Sequence, residues 1–334
     1  RRAMAAQKGA ASGMTHVRSL ADAKPAAPTL LTIGSFDGVH CGHQALVTDM
    51  VSAARSRDWQ AVVLTFFPHP SVVLRGRRPA FYIHRPEEKA AALGALGVDW
   101  VVTLPFDERR AQTTAADFTR QLRCALDFRQ LRCGGDFAFG RGREGDVAWL
   151  REHSPDYRFE LRVVAPVQRQ GGVVSSSRVR AYIRAGDVAA AAGCLGRPLR
   201  VPGTVEPGVG RGRSIGVPTA NLTVWPERAC PAAGVYAAFA RIDEKSHAAV
   251  VNVGLRPTFE DGSGSVTIEA HLLDFNDDLY GRSLALDFIA WLRAERKFPH
   301  AQAYGAQIEA DLAAARALLA NVENEWHLTE KYTF

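Results

Sequence analysis

TIGSFDGVHCGH, residues 32–43, packs three glycines, an aspartate, a cysteine and two histidines into one short turn. The apolar residues before it read as a buried strand. After it, Ala45, Leu46, Met50, Val51 and Ala54 recur at helical spacing, so the stretch is a strand–turn–helix junction. Gly34 ends the strand and Gly42 opens the helix. His40 and His43 therefore project beside a helix N-terminus, where unpaired N–H groups and the helix dipole favour an anion. A transition metal is the competing reading, but no third ligand stands at metal spacing, and Cys41 would point away along the first turn. As surface residues of a tight turn, the histidines would have no ligand at all.

Working outward, residues 29–164 alternate strand-like runs (TLLTIGSF, AVVLTFF, DWVVTLPF, FRQLRCGG, FELRVVAPV) with amphipathic stretches at 42–57, 86–97, 114–126 and 145–153. Short β-branched runs alternating with helices imply βαβ units and a parallel sheet, which binds ligands at the carboxyl ends of its strands. Residues 176–196 read as helical, stopped by the glycine and proline of GCLGRPL. Beyond 198 the pattern changes. GVYAAFARI, HAAVVNVGL, SVTIEAHLLDF and SLALDFIAWL are strand-like with turn residues between them, which predicts an antiparallel barrel closed by a helix over 300–320. The expected organisation is a flexible segment 1–28, an α/β domain 29–185, a linker 186–197 and a β-barrel domain 198–334.

Of the 334 residues 47% are hydrophobic and 23% charged, a globular balance with no apolar run near the roughly 18 residues that span a bilayer. The net charge of +6 suits phosphorylated small molecules as well as nucleic acid and does not choose between them. Five cysteines, odd in number and never spaced CxxC, predict reduced thiols in a cytoplasmic protein and no zinc cage. The first 29 residues, rich in alanine, show no apolar signal-peptide core.

Two further stretches carry chemistry. GVGRGRSIGVPTANL, 208–222, combines a Gly/Arg loop able to cradle phosphates (Gly210, Gly212, Arg213) with Thr219 and Asn221, two hard oxygen ligands alternating on one face of an extended strand. The Walker pattern is absent. Glu269 stands in IEAHLLDF, two residues before His271. By alternation alone it is a polar residue on an exposed strand face.

In order along the chain come GSFDGVHCGH, FFPHP (66–70), CGGDFAFGRGREGDVAWL (133–150) and SSSRVR (175–180). This set resembles the adenylyltransferase module of the bacterial bifunctional riboflavin kinase/FAD synthetases. PTAN, VNVGLRPTF (251–259), IEAHLLDF, DDLYG (277–281) and FIAWLRAERKF (288–298) are similar to the riboflavin kinase module of the same family. The resemblance covers roughly residues 30–330.

It implies a Rossmann-like nucleotidyltransferase domain followed by an antiparallel β-barrel. Riboflavin would be phosphorylated to FMN in the barrel, and FMN adenylylated to FAD with release of pyrophosphate in the first domain. Each step would consume ATP with Mg²⁺. In the first domain the resemblance assigns ATP binding to Gly34, Phe36, Asp37, Gly38, His40, His43, Ser176, Ser177 and Arg180, with His40, His43 and Arg180 catalytic. Flavin contacts fall to Asp136 and Phe139. In the second it assigns ATP binding to Gly210, Gly212, Arg213, Thr219 and Asn221, Mg²⁺ to Thr219 and Asn221, and flavin contacts to Glu269 and Arg293. Glu269 would be the general base.

FMN phosphate is already a nucleophile, so the first reaction needs positive charge and N–H groups at the phosphoryl groups. The ribityl hydroxyl of riboflavin is a poor nucleophile, and a neighbouring carboxylate would help it. Phe67, Gly135 and Ala138 depart from the family pattern, where acidic, glutamate and arginine residues are usual. They motivate the alternative of a chain that retains only the kinase. The expected partners are the small molecules riboflavin, FMN and ATP, with no nucleic acid and no membrane, and the sequence does not fix an oligomeric state.

Overall fold

The structure, a computed structural model, describes residues 7–8, 13–76, 81–207, 218–256, 265–296, 298 and 300–326. The chain forms two compact units. One comprises the described residues before 77 with Tyr82–Ser176, and the other Phe81 with the described residues from Ser177 onward.

The first unit opens with β1 (Gln7–Lys8), β2 (Thr15–Val17), β3 (Thr29–Ile33), α1 (Cys41–Arg55), β4 (Gln60–Phe67), α2 (Pro70–Arg75) and α3 (Pro86–Ala95). It continues with β5 (Trp100–Pro105), α4 (Glu108–Ala111), α5 (Ala115–Leu126), β6 (Phe128–Gly134), β7 (Ala138–Phe139) and β8 (Gly145–Asp146). The last elements are α6 (Val147–His153), β9 (Glu160–Val164), β10 (Gln168–Arg169) and β11 (Gly172–Val173). Its sheet runs in the order β1-β2-β5-β4-β3-β6-β9 and is parallel throughout, except that β1 pairs antiparallel with β2.

Alternation explains the sheet. Leu31 and Ile33 of β3, Val62 and Leu64 of β4, and Val102 and Leu104 of β5 face one core with Phe118, Leu122 and Leu126 of α5. Their neighbours Leu30, Ala61, Val63 and Val101 face a second core with Val47, Met50 and Ala54 of α1 and Ala90 and Leu93 of α3. Both faces are covered, so the strands read as continuous apolar runs. Each buried Leu or Val side chain contributes about 1.5–3 kcal/mol.

The strand order reverses beside β3: β4 and β5 lie on one side of it and β6 on the other. The crevice at such a reversal opens beyond the carboxyl ends, between the loops after β3 and β6. The turn 34–40 and the loop carrying Asp136 are those two loops.

The second unit contains α7 (Ser176–Ala185), whose first residue belongs to the first unit, then α8 (Val188–Leu195), β12 (Leu199–Glu206) and β13 (Ala220–Val224). There follow β14 (Gly234–Ile242), β15 (Lys245–Arg256), β16 (Ser265–Leu272), β17 (Ser283–Arg293) and α9 (Ala301–Trp326). Six strands close a barrel in the order β12-β13-β16-β15-β14-β17, all pairings antiparallel. Closure leaves no strand edge for another chain to pair with. Along β14, Ala237 and Phe239 pack on Ala315 and Leu319 of α9. On the opposite face Tyr236 meets Phe288 edge-on at 5.2 Å and donates its hydroxyl to Ala232 O at 2.6 Å.

The expected α/β domain followed by an antiparallel barrel and terminal helix is what the chain forms. Three details differ from the sequence reading. Within the segment 1–28, read as flexible, Thr15–Val17 is a strand parallel to β5, and Met14, Val17 and Ala23 are buried. The helical stretch 176–196 is two helices, because Gly186 takes φ +76°. The stretch 186–197, read as a linker, holds α8, whose Ala191, Cys194 and Leu195 are buried within the second unit.

Candidate active sites

The turn after β3 passes through Phe36, Gly38 and Val39 with φ of 47°, 82° and 41°. Glycine takes a left-handed φ at no steric cost, whereas the other two are strained by about 1–3 kcal/mol each. Phe36 and Val39 tolerate it because both are buried in the core shared with α1 and α3. His40 then caps α1, its Nδ1 accepting from His43 N at 3.3 Å. That bond puts the ring proton of neutral His40 on Nε2. The His40 and His43 rings stack with centroids 3.6 Å apart, and Phe36 lies 4.9 Å from His43. A Cβ on Gly42 would stand 3.2 Å from His40 Cε1, so the close approach of that ring depends on glycine.

Burial first, then the His40 ring, Lys89 and His84, push the His43 pKa well below its ordinary value. His43 is therefore a neutral donor near pH 7. Its Nδ1 is buried and makes no hydrogen bond among the described residues. No acidic residue occupies the first turn of α1, so the anion-attracting end of the helix is unopposed there. Among the described residues no group of three or more His, Cys, Asp or Glu side chains could hold a metal. The arrangement suits phosphate.

Asp37 is buried, and its carboxylate accepts from Ile83 N and His84 N at 3.1 Å each. It braces the turn. Ser176 Oγ donates to Asp37 O at 2.8 Å, tying the start of α7 to the same turn. Lys89, which sequence reasoning missed, lies beneath it. Its Nζ donates to Ser35 O at 2.9 Å and Thr65 Oγ1 at 2.8 Å, with Phe66 O at 3.5 Å. The available signal was a lone lysine on the apolar stripe of α3, with Pro86, Ala90 and Leu93 buried beside it.

The other residues expected in the first site are placed as follows. Asp136 is exposed in the loop after β6. Phe139 packs with Phe118, Phe137 and Trp149 and is half-buried against the core. Of the departing positions, Phe67 packs on Tyr82 at 5.4 Å, Gly135 has open space around it, and Ala138 lies in β7. Ser177 and Arg180 lie on α7. Arg180 is buried within the second unit, its guanidinium 4.1 Å above the Phe81 ring.

In the barrel, Asn221 of β13 lies directly opposite Glu269 of β16, which lies opposite Asn252 of β15. Opposed residues share a face, so the three form a polar row across three strands. Ile268 and Ala270, which flank Glu269, are buried, and Glu269 therefore points away from the barrel interior. Thr219 stands just before β13, beside Pro218, whose carbonyl is 2.7 Å from His271 Nδ1. Asn252, another residue that sequence reasoning missed, donates to Glu295 Oε1 at 3.1 Å. Burial and then the Glu269 carboxylate raise the Tyr304 pKa. Arg293 is engaged elsewhere: it holds buried Asp311 of α9 with nitrogens at 2.7–3.1 Å, and Gln307 donates to the same carboxylate at 2.7 Å. Gly210, Gly212 and Arg213 lie outside the described residues.

Two family matches divide the chain as these sites do: FAD synthetase over residues 22–178 and riboflavin kinase over residues 195–319. The chain is 38% identical over 290 residues to the bifunctional riboflavin kinase/FMN adenylyltransferase of Pseudomonas fluorescens, covering 86% of this chain and 92% of that one. The enzyme of the same name from Listeria monocytogenes is 34% identical over 296 residues, 88% of this chain and 94% of that one. A crystal structure named as a macrolide-efflux protein from Streptococcus pneumoniae shares the fold at TM-score 0.83 and 31% identity, covering 90% of this chain and 98% of the other. Stacked histidines at a helix start in one unit, a polar row centred on Glu269 on a closed barrel in the other, and this similarity across nearly the whole length lead to one conclusion: the chain belongs to the bifunctional riboflavin kinase/FMN adenylyltransferase family.

Proposed function

We propose that the chemistry is divided between two domains: residues 29–185 adenylylate FMN and residues 198–334 phosphorylate riboflavin. The chain is an enzyme of flavin cofactor synthesis with riboflavin, FMN and ATP as substrates. The observation that carries the residue assignment is the placement of one polar constellation in each unit.

In the first, the N-terminus of α1 and the N–H groups of His40 and His43 receive phosphate oxygens of ATP. Neutral His43 donates without binding a proton itself, so its contribution persists through neutral pH. Gly34, Gly38 and Phe36 shape the turn, and Asp37 and Ser176 fix it. Asp136 at the strand reversal contacts the flavin; Phe139 supports that loop.

In the second, Glu269 takes the proton of the ribityl hydroxyl as it attacks the γ-phosphorus of ATP, whose bond to the β,γ-bridging oxygen breaks to release ADP. The Thr219 hydroxyl and the Asn221 side-chain oxygen are hard donors of the kind Mg²⁺ selects, and Asn221 stands beside the Glu269 carboxylate. When bound, Mg²⁺ supplies charge neutralisation at the phosphates. Gly210, Gly212 and Arg213 complete the ATP site. Arg293, through Asp311, anchors α9 to β17. The protein acts in the cytoplasm on small molecules, without nucleic acid or membrane; no helix among the described residues is long and apolar enough to cross a bilayer.

The test is incubation with riboflavin, ATP and Mg²⁺ followed by chromatography of the flavins. FMN and FAD together are expected. FMN alone would restrict activity to the barrel, and no turnover would contradict both assignments.

A further inference from the structure

We propose that Lys89 is a positioning residue of the adenylyltransferase reaction, its ammonium locking the turn that carries His40 and His43 onto the end of the neighbouring strand. The inference rests on the reading of that turn as the adenylyl-transfer site. Its basis is where the three acceptors lie. Ser35 O belongs to the turn after β3, whereas Thr65 and Phe66 belong to the carboxyl end of β4. One side chain thus joins the turn to the carboxyl end of the neighbouring strand.

The same stretch of chain holds the turn at a second point. Ile83 N and His84 N, just ahead of α3, take the Asp37 carboxylate. Ser35 and Asp37 flank Phe36, whose φ is 47°. The left-handed residue is therefore pinned on both sides, by a cation before it and by two N–H groups after it. A strained backbone holds its shape only where its surroundings over-determine it, and these contacts provide that determination. The His40–His43 stack follows within a few residues.

Three oxygens around Nζ match the three N–H bonds of an ammonium, where a neutral amine offers only two. Burial brings the Lys89 pKa down to about 8, a fall that Asp37 opposes, so the ammonium still prevails near neutrality. Lys89 is only 5% exposed. It sits behind the turn and acts on the reaction through the histidines.

The experiment compares the full-length wild type with Lys89→Met, Lys89→Arg and Thr65→Val, assaying FAD formation from FMN and FMN formation from riboflavin in each. Lys89→Met is expected to lower kcat for FAD formation by about 10-fold or more, as misplacement of reacting groups does, with KM for ATP moving much less. Lys89→Arg, which keeps the cation, should recover part of that loss. Thr65→Val, which removes one acceptor, should produce a smaller kcat defect. FMN formation by the barrel should stay at the wild-type rate in all three. Wild-type kcat in Lys89→Met would overturn the proposal, as would a defect confined to KM or one that Lys89→Arg leaves uncorrected. If Lys89→Met does not fold, Thr65→Val decides: unchanged kcat overturns the proposal. Absence of FAD formation in the wild type would instead refute the reading of the turn as the site.

Discussion

The two proposed sites are built by opposite means. In the barrel, Asn221, Glu269 and Asn252 stand side by side because three strands are in register, and the hydrogen-bonded ladder fixes their spacing without further support. In the α/β unit the histidines sit on a turn with two non-glycine residues at positive φ. Asp37, Lys89 and Ser176 must hold that turn from three directions. A site carried on a sheet inherits its geometry, whereas a site carried on a turn needs residues whose task is to brace it.

The largest effect that would break this comparison lies at the barrel. Glu269→Ala should reduce FMN formation by about 10²–10⁴-fold, the usual contribution of a general base, while FAD formation from added FMN stays unchanged. His43→Ala should do the reverse, lowering FAD formation by about 10²–10³-fold, as loss of a phosphoryl-stabilising donor does. Rates are read by flavin chromatography. Equal losses of both reactions in either folded variant would contradict the separation.

Asp37→Ala sharpens the bracing argument. It strands two backbone N–H groups at about 1–3 kcal/mol each, so FAD formation and thermal stability should fall together. Asn221→Ala, on a strand that needs no brace, should lower kinase activity while leaving the melting temperature nearly unchanged. Calorimetry alongside activity measures both.

The smallest effect is in pH. Burial depresses the His43 pKa in the folded protein relative to about 6.5 in the unfolded chain. Below that value the unfolded chain binds a proton that the folded one refuses, so stability falls as pH drops. His43→Gln should flatten part of the acid side of the stability profile measured by chemical denaturation. An unchanged slope would mean that His43 is not held neutral.

The same contrast explains what the sequence disclosed. The central strands were legible because burial on both faces leaves uninterrupted runs such as Ala61–Leu64, all fully buried. The GSFDGVHCGH turn was legible because its chemistry is contiguous, and the structure puts His40 and His43 ring to ring. Lys89 was not: its acceptors are 54 and 24 residues away, and nothing local to an alanine-rich helix announces them. Thr15–Val17 escaped because a three-residue strand has no periodicity to detect and gains its place only by pairing with β5. β12 was hidden by Pro202 and Gly203, residues that usually demote a strand. Asn252 was visible within VNVGLRPTF, but its place beside Glu269 depends on a register that no single strand encodes. Arg293 was noticed, yet its pairing with Asp311 could be found only once α9 had docked on the barrel.

Mixing two inactive partners tests the central claim of two self-sufficient sites most directly. Full-length Glu269→Ala and His43→Ala proteins are each incubated with riboflavin, ATP and Mg²⁺, first alone and then together, and FAD is quantified. Neither alone should make FAD from riboflavin. The mixture should make it readily, as FMN released by the His43→Ala protein is adenylylated by the Glu269→Ala protein. A mixture that accumulates FMN without FAD, or makes neither, would contradict the account.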